Sequence, residues 1–138
     1  MENFLDVYQR LQADNLDLLK EIYEEGVIFV DPAHKIEGIT QLTDYFRNLY
    51  SNINHISFEF HHPLQVNDVG YVQWTMTFSH PGVKKGDKIS VEGATFLQFG
   101  KDGRVIFHRD HFDLGSMLYQ HIPILGGVIK TIKRRLGK

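Results

Sequence analysis

Apolar residues recur at helical spacing through the first fifty or so positions of this chain, and at every second position after that. Helices repeat about every 3.6 residues and strands every two, so the change of period divides the chain into a helical part and a strand-forming part. Phe4, Val7, Tyr8 and Leu11 mark a first helix that ends near Ala13-Asp14. Asp14 or Asn15 is placed to cap a second helix, which carries Leu16, Leu18, Leu19, Ile22 and Tyr23 and closes at Gly26. Val27 to Asp31 reads as a short strand stopped by Pro32. A loop through Gly38 then leads to a third helix, marked by Ile39, Leu42, Phe46 and Leu49.

From His55 onward the pattern alternates. Ile56, Phe58 and Phe60 take one face of a strand, and Asn67-Asp68-Val69-Gly70 supplies a hairpin turn. In the next strand, Tyr71 to Ser79, Val72, Trp74, Met76 and Phe78 share a face opposite Gln73, Thr75, Thr77 and Ser79. A polar loop over Pro81 to Asp87 precedes a strand from Lys88 to Phe99, and Gly100 to Gly103 turns into a final one. Helices set apart from hairpin-linked strands predict an α+β domain with the helices covering one face of the sheet.

Composition narrows the possible chemistry. A chain of 138 residues fits one domain, residues 1–138, with no linker or repeat in it. The net charge of −2 argues against general nucleic-acid affinity. With no cysteine, disulfides, thiolate metal sites and cysteine nucleophiles are excluded. The acidic, amphipathic N-terminus is unlike a targeting peptide, so a cytoplasmic location is expected. A metal site is disfavoured: His108 and His111, three apart on a strand, point to opposite faces, and no helix carries paired histidines at metal-binding spacing.

The segment Arg104 to Leu114 holds more polar and charged groups than packing needs. Alternation puts Ile106, His108, Asp110, Phe112 and Leu114 on one face, with Val105, Phe107, Arg109, His111 and Asp113 on the other. An apolar wall interrupted by an imidazole and a carboxylate needs a reason, because a buried carboxylate without partners is costly. A pocket supplies one. Asp110 and His108 are the candidate acid–base groups, and His34, in the loop after Asp31, is placed to rim the pocket. Phe29, Phe58, Trp74, Met76, Phe78 and Phe112 are the candidate lining, suited to a small hydrophobic molecule.

The run Val27-Ile28-Phe29-Val30-Asp31-Pro32, then Gly38 and a helix, then the late Arg104 to Leu114 segment resembles the nuclear-transport-factor-two-like superfamily. Its SnoaL-like branch, with polyketide cyclases, limonene-epoxide hydrolase and ketosteroid isomerase, is the nearest in pattern. The resemblance implies a cone: a curved mixed or antiparallel sheet wrapped around helices and enclosing an apolar pocket. It also implies cofactor-free isomerase, cyclase or epoxide-hydrolase-like chemistry, and a homodimer formed through the outer sheet face. Asp31 matches the proton-abstracting aspartate of the isomerases, and Asp110 the last-strand acid of the hydrolase and cyclases. Phe29 falls where the hydrolase positions water with a tyrosine, and Trp74 and Met76 fall where it keeps an Arg and an Asp. Thr95 takes the place of the isomerase's protonated aspartic acid, and Val7 lies near its oxyanion tyrosine, with Tyr8 one residue out of register.

The remaining signal is terminal. About residues 116–138, a basic amphipathic helix carries Lys130, Lys133, Arg134 and Arg135 among apolar positions. It suits a lid over the open end of the cone, and peripheral contact with anionic lipid is the less favoured use. A binding domain without catalysis and a dimeric interaction module are the alternatives to an enzyme.

Overall fold

The computed structural model describes residues 1–79 and 88–113. The polar loop expected over Pro81 to Asp87, Leu114, and the basic helix about residues 116–138 lie outside the described residues. Helix α1, Glu2–Arg10, buries Phe4, Val7 and Tyr8. The Asn15 side chain bonds backward, giving its amide to the Arg10 carbonyl (2.8 Å) and accepting the Gln12 N–H (2.6 Å). Its side chain therefore closes the turn after α1, and Asn15 holds the N-cap position of the helical turn that follows without a side-chain cap bond to it.

The second helix is shorter than its apolar spacing predicts. A 3-10 turn at Leu16–Leu18 leads into α2, Leu19–Ile22, and the chain is already extended at Tyr23. Strand β1, Tyr23–Val30, thus begins four residues before the expected Val27. Tyr23 fits either a helical or a strand pattern, and pairing opposite Val105 with complete burial decides for the sheet. A strand missed in the sequence, β2 (Lys35–Glu37), folds back antiparallel on β1. Helix α3, Ile39–Asn52, comes next, then β3 (Asn54–Val66), β4 (Val69–Ser79), β5 (Lys88–Phe99) and β6 (Val105–Phe112).

The six strands form one mixed sheet in the order β2-β1-β6-β5-β4-β3. Every pairing is antiparallel except that of β1 with β6. Because β2 and β3 are opposite edges, α3 must carry the chain across the sheet. At about 1.5 Å per residue the helix is roughly 21 Å long, close to the roughly 24 Å spanned by six strands about 4.8 Å apart. Leu42 and Phe46 fasten it to the sheet.

Two bulges bend β3. Its register against β4 slips between Asn54 and Ser57 and again between His61 and Leu64. Each slip holds one residue with a left-handed backbone, His55 at φ 54° and His62 at φ 52°. Pro63, which lacks an N–H, is tolerated at the second bulge of this edge strand. A slip between Gln98 and Phe99 in β5 also inverts the expected facing of Val105. Predicted to point away from the buried wall, Val105 is fully buried.

The core has two parts. The larger joins Phe4, Val7, Leu19, Tyr23, Leu42 and Leu97; the smaller joins Ile53, Trp74, Met76, Phe78, Ile89 and Val91. Among the described residues no helix is long and apolar enough to cross a membrane.

Candidate functional site

A cavity of about 90 Å³ lies between the helices and the concave face of the sheet. Its described walls are aromatic: Phe4 and Tyr8 from α1, Phe29 from β1, Tyr45 and Phe46 from α3, Phe58 and Phe60 from β3, Trp74 from β4 and Phe112 from β6. Met76, Leu49 and Ala33 complete the apolar surface, and Asp31, His34, Thr95, His108 and Asp110 are its remaining polar groups.

Strand register explains how these polar groups meet. Thr95 on β5 lies directly opposite Asp110 on β6, and Phe29 on β1 lies opposite His108. His108 and Asp110 are two apart on one strand and share its inner face. The His108 Nε2 atom is 2.7 Å from Asp110 Oδ1, and the Thr95 hydroxyl donates to that same oxygen at 2.5 Å. Trp74 fixes the polarity of the last bond. Its indole N–H can only donate, and it does so to Thr95 Oγ1 at 2.8 Å, so the threonine proton is turned toward Asp110. On the other side, His108 Nδ1 is 2.8 Å from the Tyr23 hydroxyl, which is 2.6 Å from the Tyr8 hydroxyl. Burial holds the Tyr8 and Tyr23 hydroxyls well above the usual tyrosine pKa. The His108 ring, 2% exposed, is packed by Phe29 at a centroid distance of 4.5 Å.

Asp31 forms a second polar cluster. Its Oδ1 accepts the backbone N–H of Ala33 (2.8 Å) and of His34 (2.7 Å), a turn common after Asp-Pro. The Tyr45 hydroxyl donates to Oδ2 at 3.1 Å, and His34 Nδ1 lies 3.3–3.4 Å from both oxygens. Desolvation pushes the Asp31 pKa up, but the His34 and Ala33 hydrogen bonds outweigh it and leave the carboxyl below its ordinary value. Burial and the adjacent Asp31 raise the Tyr45 hydroxyl pKa.

The two aspartates therefore differ in what they offer a ligand. Among the described residues the contacts to Asp31 come from its own turn and from α3, and both of its oxygens are engaged. Among the described residues the hydrogen bonds to Asp110, a residue of the cavity wall, converge on Oδ1 and none engages Oδ2.

Asp31, His34, Asp110, His108, Phe29, Phe58, Trp74, Met76 and Phe112 thus line one cavity. Phe78 does not. Expected among the ligand-binding residues, it is fully buried in the smaller core cluster and is not among the described residues that line the cavity. Alternation along β4 reports its face correctly but carries no information on depth along the strand. The sequence did not single out Phe4, Tyr45, Phe46, Leu49 or Phe60 as lining residues. The helical ones sit on stripes that read as ordinary core, and only the topology puts a hollow beneath them. Gly93, opposite Trp74, was also missed. A Cβ there would lie 2.4 Å from the indole ring, so the bare backbone is what lets Trp74 lie across β5 and reach Thr95.

Known proteins share this arrangement of elements. Residues 4–108 match the model of the SnoaL-like domain family. No curated protein matches the chain. A protein assigned to the SnoaL-like polyketide cyclases of Jannaschia sp. CCS1 superimposes with a TM-score of 0.74 at 20% identity, over 86% of this chain and 88% of that one. An NTF2-like protein of unknown function from Burkholderia pseudomallei gives 0.73 at 15% identity, over 86% and 91%. A protein with a ketosteroid isomerase-like fold from Catenulispora acidiphila, solved with trimethylamine, gives 0.69 at 17% identity, over 78% and 82%. At these identities the likeness is one of fold.

Proposed function

This chain belongs to the SnoaL-like domain family, and we propose that its cavity carries out cofactor-free acid–base chemistry on a small hydrophobic carbonyl compound. The reaction class is isomerisation or cyclisation: a proton leaves a carbon next to a carbonyl and returns at another position. One observation carries this reading. Within an aromatic cavity, Asp110 is anchored through Oδ1 by His108 and Thr95 while no described residue bonds Oδ2. A carboxylate held by one oxygen and open at the other is built to exchange a proton with something that enters.

The roles derive from the bonds. Asp110 is the base and then the acid. His108 orients it, and Thr95, fixed by Trp74, locks its rotamer. Asp31 is assigned a positioning role, because its lowered pKa and engaged oxygens make it a poor base. It holds Tyr45 and His34 at the cavity wall. The epoxide-hydrolase alternative is the weaker one: Trp74 and Met76, at the positions of that enzyme's Arg and Asp, bring neither charge to Asp110.

Hydrogen–deuterium exchange into cyclic ketones, monitored by NMR, tests the proposal. The native protein accelerates exchange, and Asp110→Asn lowers the catalysed rate by about 10²–10⁴-fold while ketone affinity stays within about tenfold. Exchange unaffected by Asp110→Asn would leave the cavity as a binding site only. We propose further that the outer sheet face pairs two copies of the chain. There Tyr71, Phe96 and Phe107 form a continuous aromatic strip beside exposed Leu64 and Val66.

A further inference from the structure

Two described histidines line the cavity, and they are held differently. His108 has a partner at each ring nitrogen, Tyr23 at Nδ1 and Asp110 at Nε2, and its side chain is 2% exposed. His34 is held through Nδ1 alone, 3.4 Å from Asp31 Oδ2 and 3.3 Å from Oδ1, and no described residue bonds its Nε2. Its side chain is 34% exposed, so the ring meets water as well as the cavity. The described titratable groups that face it are Asp31, just past the end of β1, and Tyr45 of α3, whose ring stands edge-on at a centroid distance of 5.3 Å. No described hydrogen bond joins this cluster to that of Asp110.

Asp31 decides where the His34 proton sits. Its carboxyl lies below the ordinary carboxylate pKa, so at neutral pH it is ionised and can only accept. Nδ1 is therefore the donor, and a neutral His34 keeps its lone pair on Nε2. A second proton goes to Nε2. The Ala33 and His34 backbone N–H groups and the Tyr45 hydroxyl keep the carboxylate from turning away. An imidazole steered by a carboxylate at one nitrogen and unengaged at the other is a proton carrier, and imidazole ordinarily titrates between about pH 5 and 8. Asp110 is more confined. Thr95 and His108 both hold its Oδ1, which leaves the carboxylate little swing. It can return a proton to the carbon that lost it, which suffices for deuterium exchange. A proton due at a different carbon needs a second carrier.

We propose that His34 is a further catalytic residue, the group that delivers the proton at the second carbon, and that Asp31 is its positioning residue. This rests on the acid–base reading of Asp110 and divides the work of that site between two separate carriers. It suits an unsaturated carbonyl compound, in which a double bond relays the electron pair from one carbon to the other. The step balances. The C–H bond between the carbonyl and the double bond breaks as Asp110 Oδ2–H forms, and its electron pair becomes a new double bond beside the carbonyl. The pair of the old double bond takes the proton of His34 Nε2–H at its far carbon, and the N–H pair stays on Nε2. An ionised Asp110 and a doubly protonated His34 become a neutral acid and a neutral ring. His34 then regains a proton from water and Asp110 gives one up to it.

The probe is 3-cyclohexenone, whose conversion to 2-cyclohexenone is followed by ultraviolet absorbance, beside deuterium exchange of cyclohexanone, which needs no second carbon. His34→Gln lowers conversion by about 10²–10⁴-fold and exchange far less, so the ratio of the two rates falls by about tenfold or more. Equal loss of both, or loss of neither, overturns the proposal. Conversion in deuterium oxide asks where the delivered proton comes from. The native product carries deuterium at the far carbon, whereas His34→Gln, left with Asp110 alone, carries over protium from the carbon beside the carbonyl. Protium carried over by the native protein overturns the second carrier. Nitrogen NMR tests Asp31: the neutral His34 ring holds its proton on Nδ1 in the native protein and shifts it toward Nε2 in Asp31→Asn. An unmoved tautomer overturns the positioning role. The two proposals fail separately. Exchange of cyclohexanone without conversion of 3-cyclohexenone overturns the His34 assignment alone, and no exchange at all overturns the acid–base reading of Asp110 and this step with it.

Discussion

Gly93 matters for the atom it lacks. The Trp74 ring occupies the space where a side chain would begin, and the His111 carbonyl is 2.8 Å from the same point. Gly93→Ala must therefore push the indole off β5 and break its bond to Thr95, at a cost of about 1–3 kcal/mol in stability. Thr95 then regains rotational freedom and Asp110 loses a fixed donor, so exchange activity falls with the melting temperature. Thermal unfolding and ketone exchange measured on the same variant check both effects. Asp31 gives a different kind of prediction. Its folded pKa lies below the ordinary value of 3.8, so the stability it contributes is present above that pH and is lost as pH falls through the folded value. In urea titrations, Asp31→Asn is less stable than the native protein at neutral pH, and its stability declines less steeply below pH 3.8. Asp31→Ala does worse, with about 1–3 kcal/mol lost for each of Ala33 N–H, His34 N–H and Tyr45 O–H left without an acceptor.

Among the elements, β3 is the one under strain. A left-handed backbone costs a non-glycine residue about 1–2 kcal/mol, and β3 holds two such histidines at its bulges. His62 is exposed, and its side chain is not among those that close the cavity or the core, so a glycine there forfeits little. His62→Gly therefore raises stability by about 0.5–1 kcal/mol in urea unfolding. A loss would mean that the His62 side chain, and not its backbone, is what the bulge needs. The elements also differ in how far their residues announced them. The bounds of β5, Lys88 to Phe99, were legible because a polar loop and a Gly-rich turn bracket an alternating run. β2 was not, since three residues with one buried side chain, Ile36, are too few to show a period. The end of α2 was misplaced because Tyr23 satisfies both periods and only its distant partner Val105 decides. In the site, Asp110, His108 and Asp31 stood out as polar interruptions of apolar runs. Phe4, Tyr45 and Phe46 did not, because an aromatic on a helical stripe has the same pattern whether it meets core or cavity.

For the whole molecule, the outer face leads to an association test. The proposed pairing predicts that the native protein sediments as a dimer and that Phe96→Glu, in the middle of the aromatic strip, sediments as a monomer with its fold intact by circular dichroism. A monomeric native protein at micromolar concentration would end that proposal. The inner face leads elsewhere. Trp74 is the sole tryptophan of the chain, and it forms part of the cavity wall within ring-contact distance of Phe58 and Phe112. Its emission therefore comes from a single known place, and anything that enters or leaves that place changes its colour or brightness. The molecule holds its own dye where an unknown compound has to pass, so extracts and compound collections can be screened against unlabelled protein before any reaction has been assigned to it.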